Sequence, residues 1–185
     1  MRQHPMNSRI LIKNATILTL GDANKLFFNH ALLIEGDVIS RIAKESEIQG
    51  QFDKVIDATD KLVMPGFINA HMHFYSTLVR GLGKAKPSHN FKEILENLWW
   101  RLDKQLTLED TYISTKVMAL NAIRHGTTTL IDHHASPHAV RGSLQQIARA
   151  IKETGLRGCL CYEVSDRDGE KVAQEGIGEN SDFIS

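Results

Sequence analysis

The stretch Val63-Met-Pro-Gly-Phe-Ile-Asn-Ala-His-Met-His73 decides the fold, because the pattern of the sequence changes there. Short apolar and β-branched segments precede Pro65-Gly66, whereas strand-like segments that alternate with helix-like ones follow it. Phe67 to His73 is predicted to form a strand that ends in polar side chains. Side chains two residues apart on a strand point to the same side, so His71 and His73 could share one metal ion.

The first third of the chain is predicted to be β structure. Arg9 to Leu20 is one apolar, β-branched segment with an interruption at Lys13-Asn14. Residues 31–42 are typical of a hairpin that turns at Glu35-Gly36-Asp37, and residues 54–64 add two short strands. Together these segments predict a small antiparallel unit that ends at the proline.

After Pro65 the sequence predicts strands in alternation with helices. Thr107 and Asp110 have the spacing of a helix capping box, and Gly126 is expected to end the helix that they begin. The predicted strands cover residues 67–73, 127–132 and 156–163, and the predicted helices cover 90–104, 107–125, 143–154 and much of 168–184. This order is typical of a parallel sheet or barrel. A closed (β/α)8 barrel needs about 250 residues, which is more than the chain has after Pro65. We therefore expect either an open α/β sheet or the N-terminal part of a larger protein.

Composition and charge narrow the classes of function. Lys and Arg together number 22, as do Asp and Glu, so the formal net charge is zero. A general nucleic-acid or anionic-membrane surface would need a basic excess. We find no apolar run of the length of a signal peptide or membrane helix. These observations predict a cytoplasmic protein with neither nucleic acid nor membrane as a partner. Cys159 and Cys161 are expected to be buried, unpaired strand thiols.

The stretch around the two histidines resembles a known family. Pro65-Gly-Phe-Ile-Asn-Ala-His-Met-His73 resembles the first barrel strand of the amidohydrolase superfamily, which reads Pro-Gly, two hydrophobic residues, Asp or Asn, any residue, and His-x-His. Leu78 to Leu82 and His125 to Thr129 resemble the cytosine-deaminase and chlorohydrolase branch. Asn97 to Asp103 and Ile131 to Pro137 are similar to the SsnA-type aminohydrolases of that branch.

The resemblance implies a fold. Members of the superfamily have a (β/α)8 barrel beside a β-sandwich that is built from both ends of the chain. It implies that residues 1–65 are the N-terminal part of such a composite β-sandwich. Residues 66–185 would then be the first three β/α units of an incomplete barrel.

The resemblance also implies an activity, which is metal-dependent hydrolysis of a non-peptide carbon–nitrogen bond in a small heterocyclic substrate by an activated water molecule. His71 and His73 would bind one divalent metal, with zinc as the first choice and iron as the second. The third metal-binding His, and the His and Asp that act on the water, come from later strands in the family. We therefore expect these residues beyond position 185, no catalytic residue within the chain, and no turnover by this segment alone.

Other side chains near the predicted strand ends are candidates for substrate binding: Arg80, Glu93, Trp100 and His134. For each of them a structural role, in packing or at the surface, remains open. Two further functions also remain open. One is a C–Cl hydrolase or cyclic-amide hydrolase of the same superfamily, and the other is a catalytically dead, truncated chain that acts as a binding module. The expected partner is a small-molecule substrate, and a homo-oligomer is not excluded.

Overall fold

The computed structural model describes residues 8–81 and 86–185. Leu82, the last residue of one segment that carries the resemblance, lies outside these ranges. The chain divides into two compact units, one that ends at Pro65 and one that begins at Gly66. Within the described ranges, no helix combines the length and the apolar composition that crossing a membrane requires.

The first unit is a five-stranded sheet. The strands pair in the order β3-β2-β1-β4, and β5 also pairs with β1. Their apolar side chains form two small cores, one centred on Leu11 and Leu33 and the other on Ile17 and Leu32. The strands are β1 (Arg9–Leu18), β2 (Leu26–Glu35), β3 (Val38–Ala43), β4 (Lys54–Asp57) and β5 (Leu62–Val63).

Two local predictions for this unit are confirmed. β2 and β3 form an antiparallel hairpin, and Gly36 in its turn has a φ of 63°, a conformation that glycine adopts without steric cost. The register of β1 against β2 shifts between Ile12 and Ala15, where Asn14 has a φ of 59°. The predicted interruption at Lys13-Asn14 is therefore a bulge in the strand.

The prediction of a wholly antiparallel unit is wrong. β4 and β5 both run parallel to β1, with Leu11 opposite Val55 and Ile17 opposite Val63. The reason lies in residues 44–53, which connect the β3 edge of the sheet to the far side of β1. Because that connection returns to the end at which β1 begins, the chain enters β4 in the same direction as β1.

The second unit is a three-stranded parallel sheet in the order β6-β7-β8. β7 lies in the centre and continues two residues beyond its predicted end. The strands are β6 (Phe67–Met72), β7 (Thr127–His134) and β8 (Arg157–Tyr162), and the helices are α1 (Phe91–Ile94), α2 (Trp100–Asp103), α3 (Leu108–Arg124), α4 (Ser143–Thr154) and α5 (Glu170–Ile184). A 3-10 segment, Phe74–Val79, follows β6, and a π-helical turn, Leu95–Trp99, joins α1 to α2.

Helices cover this sheet at the predicted places. The capping box is confirmed, because the Thr107 hydroxyl accepts from the Asp110 N–H and the Asp110 carboxylate accepts from the Thr107 N–H. The main core lies between β7 and α4, where Leu130, Leu144 and Ile147 have no exposed surface. The order β-α-β-α-β predicted from the sequence is therefore confirmed, with all three strands parallel. The expected burial of Cys159 and Cys161 is wrong, because they lie on β8 at the edge of this sheet, where both are exposed and free.

Gly66 is the residue that allows the chain to enter β6. A Cβ atom at this position would fall on Cγ2 and Oγ1 of Thr128, and only 2.8 Å from its Cβ. Thr128 belongs to β7, so any side chain at position 66 would push β6 away from its partner strand.

We expect Gly66→Ala to lower the free energy of unfolding by about 1–3 kcal/mol, the usual cost of overpacking. Thermal or denaturant unfolding of the complete protein measures this loss, and Gly66→Ala combined with Thr128→Gly should recover most of it. Gly21→Ala is the matched control, because a Cβ there meets no atom within 4 Å. Equal stability of the two alanine variants would contradict the account.

Candidate metal centre and cavity

The two histidines of the opening stretch lie together at the carboxyl end of β6. His71 is within the strand and His73 follows its last residue. Their ring centroids are 5.0 Å apart, and the ring planes are nearly perpendicular at 88°. His71 is exposed and His73 is half-buried. Both rings are therefore neighbours on one side of the strand end, as the two-residue spacing predicts.

The tautomer of His73 is fixed by its surroundings. Its Nδ1 lies 2.7 Å from the main-chain carbonyl oxygen of His133, which can only accept, so Nδ1 carries the proton and donates. Nε2 is then left with its lone pair free. Metal-binding histidines typically donate their second ring nitrogen to a carbonyl or carboxylate in this way. The donor chemistry at His73 therefore fits a metal ion such as zinc.

A complete ligand set is not present in the part of the chain that the structure describes. Residues 8–81 and 86–185 contain no group of three or more His, Cys, Asp or Glu side chains placed to hold a metal. The centre of the His133 ring lies 5.4 Å from the centre of the His73 ring. Burial lowers the pKa of His133. Metal binding by His71 and His73 stays a prediction, and these residues supply two donors to it.

Asp132 and His134 occupy the opposite face of β7 from His133, as strand alternation predicts. Asp132 is 1% exposed, and its Oδ1 accepts the main-chain N–H of Phe74 at 2.7 Å. Its Oδ2 has no hydrogen-bond partner among the described residues. Burial raises the pKa of this carboxyl to about 7. The carboxyl group thus connects the end of β7 to the segment that follows β6.

His134 is also held in the core. The Ser136 hydroxyl donates to the Ala139 carbonyl, so it accepts from Nε2 of His134, at 3.0 Å. The ring is 1% exposed, and burial lowers its pKa to about 3. A neutral imidazole enclosed in this way has no access to a ligand, so the structure does not support the predicted substrate contact.

A cavity of about 240 Å³ lies beside His73. Trp100, a candidate for substrate binding, lines it, and Trp99 packs edge-on against Tyr75 in the same wall. The lining residues are His73, Tyr75, Phe91, Leu95, Trp99, Trp100, Asp103, His133 and Glu163. The wall is mainly aromatic, which suits a flat ring.

The other two predicted substrate residues do not line this cavity. Glu93 lies at the start of α1, where its carboxylate accepts from the His89 N–H at 2.7 Å and from the Asn90 side chain at 2.9 Å. These bonds give it a role in ending the preceding loop and starting the helix. Arg80 is exposed and lines a separate hollow beside α3, together with Met118 and Asn121. For both residues the structure supports the structural alternative.

Sequence reasoning missed an ion-pair cluster at the cavity wall. Arg167 contacts Asp103 at 2.7 Å, Glu163 at 2.8 Å and Asp168 at 3.2 Å. Lys104 also pairs with Asp168, at 2.7 Å. Asp103 and Arg167 are 64 residues apart. The alternating charges of Asp166-Arg167-Asp168 were the only signal, and they do not identify the distant partner.

Comparison with known proteins identifies a family. Residues 62–183 match the model of the amidohydrolase family. A 5-methylthioadenosine/S-adenosylhomocysteine deaminase of Syntrophomonas wolfei is 35% identical over 152 residues, which are 82% of this chain and 33% of that protein. A 5'-deoxyadenosine deaminase of Methanobrevibacter smithii is 33% identical, over 94% of this chain and 37% of that protein. The chain thus spans about a third of the length of the curated relatives it matches.

Solved structures share the fold. An adenosine deaminase from Xanthomonas campestris with bound zinc superimposes with a TM-score of 0.75, at 20% identity, over 97% of this chain and 40% of that one. Atrazine chlorohydrolase TrzN from Arthrobacter aurescens, complexed with zinc, gives a TM-score of 0.69 at 22% identity, over 83% of this chain and 35% of that one. At these identities the likeness concerns the fold alone.

The raised pKa of Asp132 predicts a pH dependence of stability. Between pH 4 and pH 7 the carboxyl is ionised in the unfolded chain but still protonated in the folded one, since its folded pKa is about 7 and its ordinary value 3.8. The folded state then binds more protons, so the free energy of unfolding falls as the pH rises through this window. A pKa difference of one unit corresponds to about 1.4 kcal/mol, so the total fall is on the order of a few kcal/mol.

Asp132→Asn should remove this component, measured by denaturant unfolding of the complete protein at pH 4 and pH 7. Asp57→Asn is the matched control, because hydrogen bonds from Thr59 lower the pKa of Asp57 to about 2. That carboxyl is ionised throughout the window in both states. An unchanged slope in the Asp132 variant would contradict the assignment.

Proposed function

Because the chain belongs to the amidohydrolase family, we propose that it is part of a metal-dependent hydrolase that removes an amino group from a small, flat heterocycle. The observation that carries this proposal is the hydrogen bond from Nδ1 of His73 to the His133 carbonyl, which leaves Nε2 free beside His71. The named relatives, which are deaminases of adenosine compounds, support the reaction class.

The proposed architecture places each unit within a larger fold. We assign the parallel strands β6, β7 and β8 to the first three β/α units of a (β/α)8 barrel, and the first unit to part of a composite β-sandwich. The relatives are about two and a half times as long as this chain. That length, together with the exposed apolar residues Phe67 and Ile68 on β6, supports this assignment. In such a barrel the carboxyl ends of the strands form the active-site face, where His71 and His73 lie.

His71 and His73 would hold the metal together with further donors from outside residues 8–81 and 86–185. When bound there, a divalent metal would supply Lewis-acid chemistry, which makes water a stronger nucleophile and polarises the carbon under attack. The chain's own contribution is to orient His73. The His133 carbonyl fixes both the tautomer and the ring plane, so that the free lone pair of Nε2 keeps one direction.

The cavity residues would position the substrate. The edge-on pair Tyr75 and Trp99, with Trp100 beside them, offers apolar surface to a planar ring and displaces water. Burial raises the pKa of Tyr75, so its hydroxyl stays protonated and can donate a hydrogen bond. His133, whose pKa is lowered, lines the cavity as a neutral imidazole. The zero net charge of the chain agrees with a small-molecule substrate rather than a nucleic acid. We also propose a cytoplasmic location.

We predict that the complete protein, purified with zinc, releases ammonia from at least one member of a panel of aminated purines, adenosine derivatives and triazines. His71→Ala and His73→Ala should each reduce the amount of zinc bound per protein molecule. Each should also lower kcat/KM by a hundredfold or more. Loss of even an outer partner of a metal-binding residue costs about 10–100-fold. Metal analysis and an ammonia assay give the two readouts.

His138→Ala is the matched control, because this exposed histidine lies in the turn after β7 and does not line the cavity. Circular dichroism checks that all three variants are folded. Full zinc content in folded His71→Ala and His73→Ala proteins would rule out the proposed metal centre.

A further inference from the structure

Two carboxylates in the cavity wall have no role in the proposed hydrolysis. Asp103 and Glu163 both line the cavity, together with Trp99 and Trp100. The Asp103 side chain is only 2% exposed, and its Oδ2 accepts from Arg167 at 2.7 Å. Its Oδ1 has no hydrogen-bond partner in the part of the chain that the structure describes. A buried acceptor without a donor is unfavourable, so this oxygen favours a ligand that brings one.

Glu163 has spare accepting capacity as well. Its Oε1 accepts from Nε of Arg167 at 2.8 Å, and its side chain remains 27% exposed. Arg167 lies with its guanidinium carbon 5.3 Å from the centre of the Trp100 ring. Arg167 therefore acts as a positioning residue, because one side chain fixes both carboxylates beside the aromatic wall.

The charges around the cavity are unequal. The cluster contains three carboxylates, Asp103, Glu163 and Asp168, against two cations, Arg167 and Lys104. Neither cation lines the cavity, whereas two of the carboxylates do. The wall is therefore acidic, and it favours a ligand with positive charge or with several N–H donors and disfavours an anion.

We propose that Asp103 and Glu163 form a subsite for a planar, cationic nitrogen group, such as an amidinium, a guanidinium or a protonated aminated ring. The N–H groups of such a ligand match carboxylate oxygens in charge and direction, and hydrogen bonds between two charged groups are about twice as strong as neutral ones. The flat group would lie along Trp99 and Trp100, where an indole ring adds cation–π attraction.

This subsite deepens the proposed function and rests on it, since it names the chemical class of the substrate. The hydrolase would prefer rings that carry a second, basic nitrogen group at a distance from the bond that is cut. His73 and the acidic pair line the same cavity of about 240 Å³, so one ligand can contact both.

Equilibrium binding to the complete protein tests the subsite with three probes of one shape: benzamidine, benzamide and benzoate. We expect benzamidine to bind at least tenfold more tightly than benzamide, and benzoate to bind most weakly. Glu163→Gln should reduce the preference for benzamidine over benzamide at least fivefold. Calorimetry, or quenching of the tryptophan fluorescence, measures the affinities.

Glu175→Gln is the matched control, because Glu175 pairs with Lys171 on the surface of α5. Asp103→Asn tests the second carboxylate, with circular dichroism to establish that the variant is folded. Should Asp103→Asn unfold, the partly exposed Glu163 still decides the question. Equal affinity for benzamidine and benzamide, or a preference that Glu163→Gln leaves unchanged, overturns the subsite.

The binding assay needs no turnover, so the two proposals can fail separately. A protein that hydrolyses aminated rings but does not prefer benzamidine keeps the proposed function and loses the subsite. A protein that shows the Glu163-dependent preference but hydrolyses no aminated ring keeps the subsite as a binding site for cationic nitrogen groups and loses the proposed reaction.

Discussion

The carboxyl end of β7 holds the chain that leaves β6 at two points, and the candidate centre depends on both. The Asp132 carboxyl accepts the Phe74 N–H, and the His133 carbonyl accepts Nδ1–H of His73, each at 2.7 Å. One bond fixes the backbone after the strand and the other fixes the imidazole. Because neighbouring residues on β7 make them, a slip of one residue would exchange the buried and cavity-facing side chains and break both.

This arrangement has an electrostatic consequence. Asp132 and His134 share the buried face of β7, where burial raises the pKa of the carboxyl to about 7 and lowers that of the imidazole to about 3. Both shifts favour the neutral form, because a charge in the core lacks the solvation of water. Below pH 7 the buried polar groups behind the centre thus carry little charge. The charged groups of the cavity wall are in a separate cluster around Arg167.

Local chemistry explains which parts of the structure could be predicted. The Thr107 cap, the turn at Gly36 and the order of strands and helices depend on residues close in sequence, and each is confirmed. The His71–His73 proximity follows from strand geometry alone. The direction of β4 and the pairing of Asp103 with Arg167 depend on contacts 40 to 65 residues apart, which periodicity does not encode. Alternation placed His134 opposite His133, but only packing shows which of them is buried.

The histidines at the strand ends and the ion pairs around Arg167 are held by different kinds of contact. His71 lies within β6, His133 pairs with β8 in the sheet, and the His73 ring donates to the His133 carbonyl, so the candidate centre is carried by the paired strands. Arg167 lies in the loop between β8 and α5, and it reaches α2 only through side-chain contacts. Loops tolerate substitution better than paired strands do. Substitutions at Arg167 or Glu163 can therefore alter the charge of the cavity wall while the candidate metal centre keeps its geometry. Among the described residues, neither side chain makes a hydrogen bond to His71, His73 or His133.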